Sequence, residues 1–412
     1  MGGITQCPGS AVPPQALPEA RHSLHLLGIL CVLMAFASIS TDLYLPAMPM
    51  MEHALHSRTA MIEWTITGYL IGFSAGQMLW GPIADRYGRR VPVALGIALF
   101  VVGAAGCALA PSAAVLIAWR VVQAFGACAG VVIGRAMVRD LYAGQRGAQM
   151  LSTLMVVMGV APLIAPVLGG QILRLAGWRA IFWTLAGVGL LTLIALFTLP
   201  ETLPRERRNH EPLVNALRYY AVLLREPVVM GYALVGGCFY MGIFASIAGS
   251  SFAYIAYHHV SPQWFGVIFS SGIIGIMAVN LTNARLVMRL GGLRLMRIGS
   301  VVAASAGAVV ALDASFDWGG IMGLAVPIFI YVSAMGFIVA NSISGAMHHY
   351  PHRAGAVSAL VGAVHYGGGL LGSAVVGALA NGTPAPMGWM MAAGGVGGLV
   401  CTRFIRAAPP IA

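Results

Sequence analysis

Predominantly apolar runs of 18 residues or more recur along this chain, each bounded by Arg, Asp, Glu or Pro. They fall near 24–49, 60–83, 91–111, 113–138, 149–173 and 178–199, then near 227–250, 263–287, 295–312, 319–346, 354–380 and 387–405. About 20 apolar residues span the hydrocarbon core of a bilayer as a helix. The pattern therefore predicts an all-α polytopic membrane protein with 12 transmembrane helices. A polar stretch splits them six and six. The expected organisation is a disordered tail over 1–23, an N-terminal six-helix bundle over 24–199, a linker over 200–226, a C-terminal six-helix bundle over 227–405 and a short tail over 406–412. Composition agrees: 59% of the 412 residues are hydrophobic and 8% charged, where soluble domains carry about 25% charge.

The net charge of +11 comes wholly from Arg, since the chain has no Lys. With the N-terminus placed in the cytoplasm, 19 of the Arg fall in inner segments, three (Arg58, Arg174, Arg179) in outer loops, and Arg120 inside a run. This is the positive-inside bias, and it places both termini in the cytoplasm. Clusters between apolar runs are not the dense basic face of a nucleic-acid-binding module, so no nucleic-acid partner is expected. The cysteines, at 7, 31, 107, 128, 238 and 401, have no metal-ligand or CxxC spacing and read as small packing residues.

Asp85-Arg86-Tyr87-Gly88 with Gly96 aligns without gaps, at an offset of 203, on Met288-Arg289-Leu290-Gly291 with Gly299. Each copy lies between the second and third runs of its half. Two halves of one architecture predict a binding cavity between them, near mid-membrane.

The first copy sits in Gly81-Pro82-Ile83-Ala84-Asp85-Arg86-Tyr87-Gly88-Arg89-Arg90. Gly88 permits a tight turn between helices, and Asp85 stands at a helix end where an Arg or a neighbouring helix N-terminus can latch it. The string resembles the signature loop of the major facilitator superfamily, which implies a conformational latch over Gly81, Asp85, Arg86, Gly88, Arg89 and Arg90. In the second half Met288 replaces the acid, so that copy cannot latch in the same way.

Arg120 lies within the fourth run, in Trp119-Arg120-Val121-Val122-Gln123-Ala124-Phe125-Gly126. At membrane depth it must find water, a carboxylate or backbone carbonyls. The string is similar to the superfamily's fourth-helix motif, with Ala124 replacing a glycine. The fifth run holds Pro162, Pro166, Gly169 and Gly170, which predict a bent, closely packed helix. It resembles the antiporter motif of proton-coupled exporters; a purely structural kink is the competing reading. Asp42-Leu43-Tyr44-Leu45-Pro46-Ala47-Met48-Pro49 resembles the first-helix signature of exporters with twelve spans. Together with Arg135–Tyr142, Gly177–Trp183, Leu199–Pro204, Asn283–Leu286 and His352–Gly355, it is similar to the bicyclomycin-resistance (Bcr/CflA) branch.

Asp42 is the acid deep in the first run, and no other run holds an acid at its centre. Desolvation favours its protonated form and a nearby Arg120 the ionised one, so Asp42 and Arg120 are the expected proton-coupling pair. A helix-end Asp ionised in an outer vestibule is the alternative. Tyr44, Gln123, Phe125, Tyr240, Asn341, His365 and Tyr366 are cavity or substrate candidates. Packing or bridging between helices is the other account of them. His258, His259, Asp313 and Asp317 are assigned to solvated outer loops, and Glu201, Glu206 and Glu211 to a solvated charge run.

The resemblance implies a proton-coupled multidrug exporter of the bacterial inner membrane, working by alternating access on amphipathic antimicrobials such as bicyclomycin-, chloramphenicol- or sulfonamide-like compounds. Its partners are then the cargo, protons and lipid. It needs no cofactor or metal beyond the proton motive force and works as a monomer. The alternative is a proton-coupled exporter or importer of an endogenous sugar, amino acid or organic anion. An enzyme would need paired carboxylates, a metal set or a nucleophile with its base inside the runs, and the sequence offers none.

Overall fold

The computed structural model describes residues 23–141, 144–199, 201–208, 213–348, 350 and 354–405. Most of the two expected tails, together with Arg353 and Glu211, lies outside the described residues. The described chain is all helix and turn. Its elements are α1 (Ser23–Asp42), a 3₁₀ turn (Leu45–Ala47), α2 (Met48–Ala54), α3 (Thr59–Tyr87), α4 (Arg90–Leu109), α5 (Ala113–Leu141), α6 (Gly144–Ala176) and α7 (Trp178–Leu196). After a second 3₁₀ turn (Arg205–Arg207) come α8 (Leu213–Leu223), α9 (Pro227–Ser251) with a π turn (Phe252–Tyr257), α10 (Pro262–Leu290) and α11 (Gly292–Phe316). The chain closes with α12 (Gly320–Ser333), α13 (Met335–His348), α14 (Ala354–Ala378) and α15 (Ala385–Phe404).

Among the described residues ten helical stretches are long and apolar enough to cross a membrane. All twelve expected runs fall on helices, but those on α3 and α15 are not among the ten. Polar and small residues explain the shortfall: α3 carries Glu63, Gln77 and Asp85, and α15 is rich in glycine. The run expected over 319–346 is divided at Ala334. There the Ala334 amide reaches Tyr331 O at 3.1 Å and the Phe337 amide reaches Ala334 O at 3.0 Å, a local tightening to 3₁₀ spacing.

Proline fixes the first break. Pro46 has no N–H to offer the Asp42 carbonyl, and its ring would crowd that carbonyl, so α1 stops at Asp42. Gly88, at φ +93°, then turns α3 into α4, and Gly177, at φ +77°, turns α6 into α7.

In the first half α3 and α4 pack on α5, α4 on α7, and α1 on α6. In the second, α9 packs on α14 and α15, and α11 on α15. The halves meet along α3 with α14 and along α6 with α10. One end of the bundle carries Arg89 and the other carries Glu63.

Asp313 departs from its expected place in a solvated loop. It is buried within α11, and its Oδ1 accepts the Gly319 amide at 2.8 Å. The chain reverses through Asp317 in the left-handed region (φ +50°) and folds Gly319 back over the carboxylate. His258 is half-buried, with Nε2 lacking a hydrogen-bond partner. His259 and Asp317 are exposed, as expected.

Candidate functional site

Arg120, on α5, is 0% exposed. Its Nη1 donates to Ser40 O on α1 at 2.9 Å and to Gln123 Oε1 at 2.7 Å. The guanidinium carbon lies 4.3 Å from the centroid of the Tyr44 ring and 4.4 Å from that of Tyr69, with Phe182 at 6.0 Å. Nε and Nη2 have no hydrogen-bond partner among the described residues. Each desolvated cation–π contact is worth about 2 kcal/mol. The cage is itself pinned: the Tyr44 hydroxyl bonds Thr65 Oγ1 at 3.0 Å, and the Tyr69 hydroxyl bonds Ser40 Oγ at 2.6 Å.

Asp42 is 6% exposed at the α1 break. It makes no ion pair with Arg120 among the described residues. Helical geometry accounts for this: Ser40 faces α3, and two residues further on a side chain points about 200° away. Beside Asp42 the Leu43 carbonyl presses on Gly169 of α6, so closely that a Cβ at 169 would overlap it. Gly170, the next residue, faces α10 instead, with Pro262 O 3.2 Å from where its Cβ would stand. The adjacent glycines thus pack α6 against its own half and against the other half. Pro162 and Pro166 lie inside α6. At that level Ser270 Oγ of α10 donates to Leu163 O at 2.6 Å, and Gly266 is pressed against Pro166 O.

A ladder of rings leads from the Arg120 cage across to the second half. Tyr69 stacks on Phe73 (6.2 Å), Phe73 meets Tyr366 of α14 (4.5 Å), and Tyr366 meets Tyr240 of α9 edge-on (5.5 Å). Tyr240 lies 5.0 Å from His365, whose Nε2 stands 3.3 Å from Ser342 Oγ. The structure therefore brings Tyr44 and Gln123 together at Arg120, and Tyr240, His365 and Tyr366 together on the ladder. Phe125 lies apart, packed on Trp80, which donates Nε1 to Phe125 O at 2.8 Å. Asn341 also lies apart, donating to Asn283 Oδ1 at 2.7 Å and to Phe337 O at 2.8 Å. Sequence reasoning missed Tyr69 and Phe73, although their i, i+4 spacing puts them on one face of α3. On the same helix it missed Glu63, which is buried although it lies one turn inside the end.

At the opposite end of α3, Arg89 is buried and bidentate in function: Nη1 pairs with Asp85 Oδ1 at 2.5 Å and Nε with Asp140 Oδ2 of α5 at 2.8 Å. Arg90 donates to Phe197 O at 2.6 Å. Glu201 is exposed, as expected of the charge run, and is also bound to the turn. Its carboxylate accepts the amides of Arg89 (2.8 Å), Leu203 (3.0 Å) and Arg90 (3.2 Å). Burial pushes its pKa up, but those three amides and the Arg208 guanidinium outweigh burial and hold it below the usual glutamate value. Gly88 has no room for a Cβ, which would meet Glu201 Oε2 at 2.6 Å. Arg86 is exposed over Tyr87, and Gly81 has only Val132 near it. In the second half Met288 is 90% exposed, and the Asn283–Asn341 pair, beside Gly292, ties α10 and α13 without charge.

Residues 30–373 match the family model of the Major Facilitator Superfamily. The chain belongs to this superfamily. It is therefore a multi-pass membrane transporter of a small molecule, and its family's members are not enzymes. It is 35% identical over 381 residues, 91% of this chain and 93% of the relative, to the uncharacterized MFS-type transporter YdgK of Bacillus subtilis. It is 30% identical over 89% of its length to a bicyclomycin resistance protein homolog of Haemophilus influenzae, covering 92% of that protein. It is 32% identical over 82% of its length to a chloramphenicol resistance protein of Pseudomonas aeruginosa, covering 79% of that protein. The fold matches the xylose transporter XylE of E. coli in a partially occluded inward-open conformation, with a TM-score of 0.73 at 14% identity over 92% of this chain and 96% of that one. Among the described residues of this superfamily member no group of three or more His, Cys, Asp or Glu is placed to hold a metal.

Proposed function

We propose that this transporter is a drug/proton antiporter of the bicyclomycin-resistance branch, with twelve spans in two six-helix halves and both termini in the cytoplasm. On this reading the Arg89 end faces the cytoplasm and the Glu63 end the periplasm of a bacterial inner membrane. Cargo moves outward as protons move in. One observation carries the reading: Asp42 is buried with no ion pair among the described residues, while Arg120, on the neighbouring helix, donates Nη1 to Ser40 O and Gln123 and lies over the rings of Tyr44 and Tyr69. A buried carboxyl with no cation of its own takes up a proton and releases it when its surroundings change. The fixed charge of Arg120 keeps the site polar in either protonation state.

The ring ladder from Tyr69 to Tyr240 suits flat, amphipathic cargo, which stacks on aromatic faces and meets scattered hydrogen-bonding groups at His365 and Ser342. The printed names of the Haemophilus and Pseudomonas relatives, resistance to bicyclomycin and to chloramphenicol, point the same way. The Asp85–Arg89–Asp140 chain then serves as the latch of the cytoplasmic end.

The test is proton release from purified, weakly buffered protein on addition of bicyclomycin, chloramphenicol or a sulfonamide. The native protein is expected to release protons as the drug binds, and Asp42→Asn to bind without release. Drug binding without release from the native protein, or unchanged release from the variant, would overturn the assignment.

A further inference from the structure

Glu63 is 4% exposed, and its Oε2 has no hydrogen-bond partner. It sits on the seam between halves. Thr67, one turn along α3, bonds Ser373 of α14 at 3.0 Å, and Gly377 of α14 is pressed against Trp64. The carboxyl borders a cavity of about 20 Å³ that is walled by both halves, with Thr59 of α3 facing Phe252 and Tyr257 of the π turn, Val376 of α14 and Met387 of α15. That volume admits about one water molecule.

The electrostatics around this cavity are one-sided. Glu52 of α2 acts on Glu63 with like charge, and Glu52 Oε1 accepts the Thr59 hydroxyl at 2.7 Å. The π turn contributes Tyr257, with His258 beside it at 4.9 Å between rings. α14 and α15 contribute only neutral groups, as does the loop between them. Arg58, at the N-cap of α3, is exposed and makes no ion pair with Glu63 among the described residues. A carboxylate held in this closed seam is thus desolvated, repelled by Glu52 and without an ion pair among the described residues, a combination that disfavours the charged form. Parting α3 from α9 and α14 hydrates it and removes that penalty.

We infer that Glu63 is a second proton-binding site, distinct from Asp42, whose protonated form closes the periplasmic seam and whose ionised form opens it. The direction of the gate rests on the antiporter reading; the coupling of proton to seam does not. A proton arriving from the periplasm neutralises Glu63 and lets the halves meet there, and the same proton leaves as the seam reopens.

The test places spin labels at Met61 and Leu379, both exposed beside the seam, in a background with the native cysteines replaced, and measures their separation by electron–electron double resonance as pH is raised. The native protein is expected to pass from the short to the long distance, while Glu63→Gln stays short throughout. Glu63→Asp is expected to keep the transition with a shifted midpoint, and it serves as the readout if the Gln variant does not fold. A Glu63→Gln distance that follows pH as the native one does, a native distance that ignores pH, or an unshifted midpoint in Glu63→Asp would overturn the inference. Absent drug-evoked proton release with an intact Glu63-dependent seam would instead remove only the antiport reading.

Discussion

The Arg120 guanidinium carbon lies over two rings, 4.4 Å from the centroid of Tyr69 and 4.3 Å from that of Tyr44, with no carboxylate paired to it among the described residues. A buried cation is thus stabilised by π faces, one carbonyl and one amide oxygen. Planarity matters here, because a compact ammonium cannot stack on both rings while donating to Ser40 O and Gln123. Arg120→Lys is therefore expected to lose most transport although charge is kept. Tyr69→Phe keeps the ring and loses the hydroxyl's bonds to Ser40 Oγ and Ala37 O, about 1–2 kcal/mol. Tyr69→Leu loses the cation contact as well and is expected to cost about 2 kcal/mol more. Thermal unfolding of the purified variants checks the order. Equal losses for Phe and Leu would show that the ring face contributes nothing.

Arg89 joins the α3–α4 turn to α5 through Asp140, and its side chain is only 7% exposed. Removing Asp140 leaves most of that cation desolvated, whereas Asp85, half exposed at 50%, is replaceable by water. Asp140→Asn is expected to lower stability by about 2–3 kcal/mol and Asp85→Asn by less than about 1 kcal/mol. Unfolding midpoints measured in low and high salt distinguish the two, since the exposed pair is screened and the buried one is not. A larger loss for Asp85→Asn would reverse the assignment of Asp140 as the anchor.

Glu201 closes the same turn with a carboxylate held below its usual value. The sign follows from linkage. A depressed folded pKa contributes stability that is fully present above the unfolded value, near 4.3 for glutamate, and is lost as pH falls through the folded value. Because the side chain is part exposed, about 1 kcal/mol is expected at neutral pH. The native protein should exceed Glu201→Gln in unfolding temperature at about pH 7, and the gap should vanish by about pH 3. A gap that persists in acid would mean that Glu201 acts by shape and not by charge.

Much of the bundle is legible in the sequence because hydrophobic length and glycine turns are local properties. The apolar runs mark the helices, and Gly88 announces its turn. Burial of Arg120 is legible too, since no charged residue at mid-run has another place to go. Its partners are not, because Tyr44, Tyr69 and Phe182 come from three segments whose juxtaposition is purely tertiary. Asn341 reads as a cavity residue by polarity alone, yet it is satisfied by Asn283, 58 positions away. Glu63 is hidden by its position: one turn inside a helix, an acid normally snorkels to the surface, and only the approach of α9 and α14 buries it. The stripe Thr59, Glu63, Thr67, spaced i, i+4, i+8, is the signal that was there to be found.

Gly169 and Gly170 are neighbours in sequence with different work, and substitution separates them. A Cβ at 169 overlaps the Leu43 carbonyl, which belongs to the same α1 break that holds Asp42. Backbone cannot yield there as a side chain would, so Gly169→Ala is expected to push α6 away from α1, cost about 2–3 kcal/mol and abolish drug-dependent proton release. At 170 the added methyl meets Pro262 O at 3.2 Å across the seam, where a shift of a few tenths of an ångström suffices. Gly170→Ala should fold nearly normally and alter the rate at which the halves part. Gly187, on α7, has nothing within 4 Å of its would-be Cβ. Gly187→Ala is the control, expected to be neutral or stabilising by up to about 1 kcal/mol, because alanine is the better helix former. Unfolding midpoints and drug-binding titrations on the three variants check the ranking, and a Gly170→Ala defect as severe as that of Gly169→Ala would place the decisive contact at the seam instead of beside Asp42.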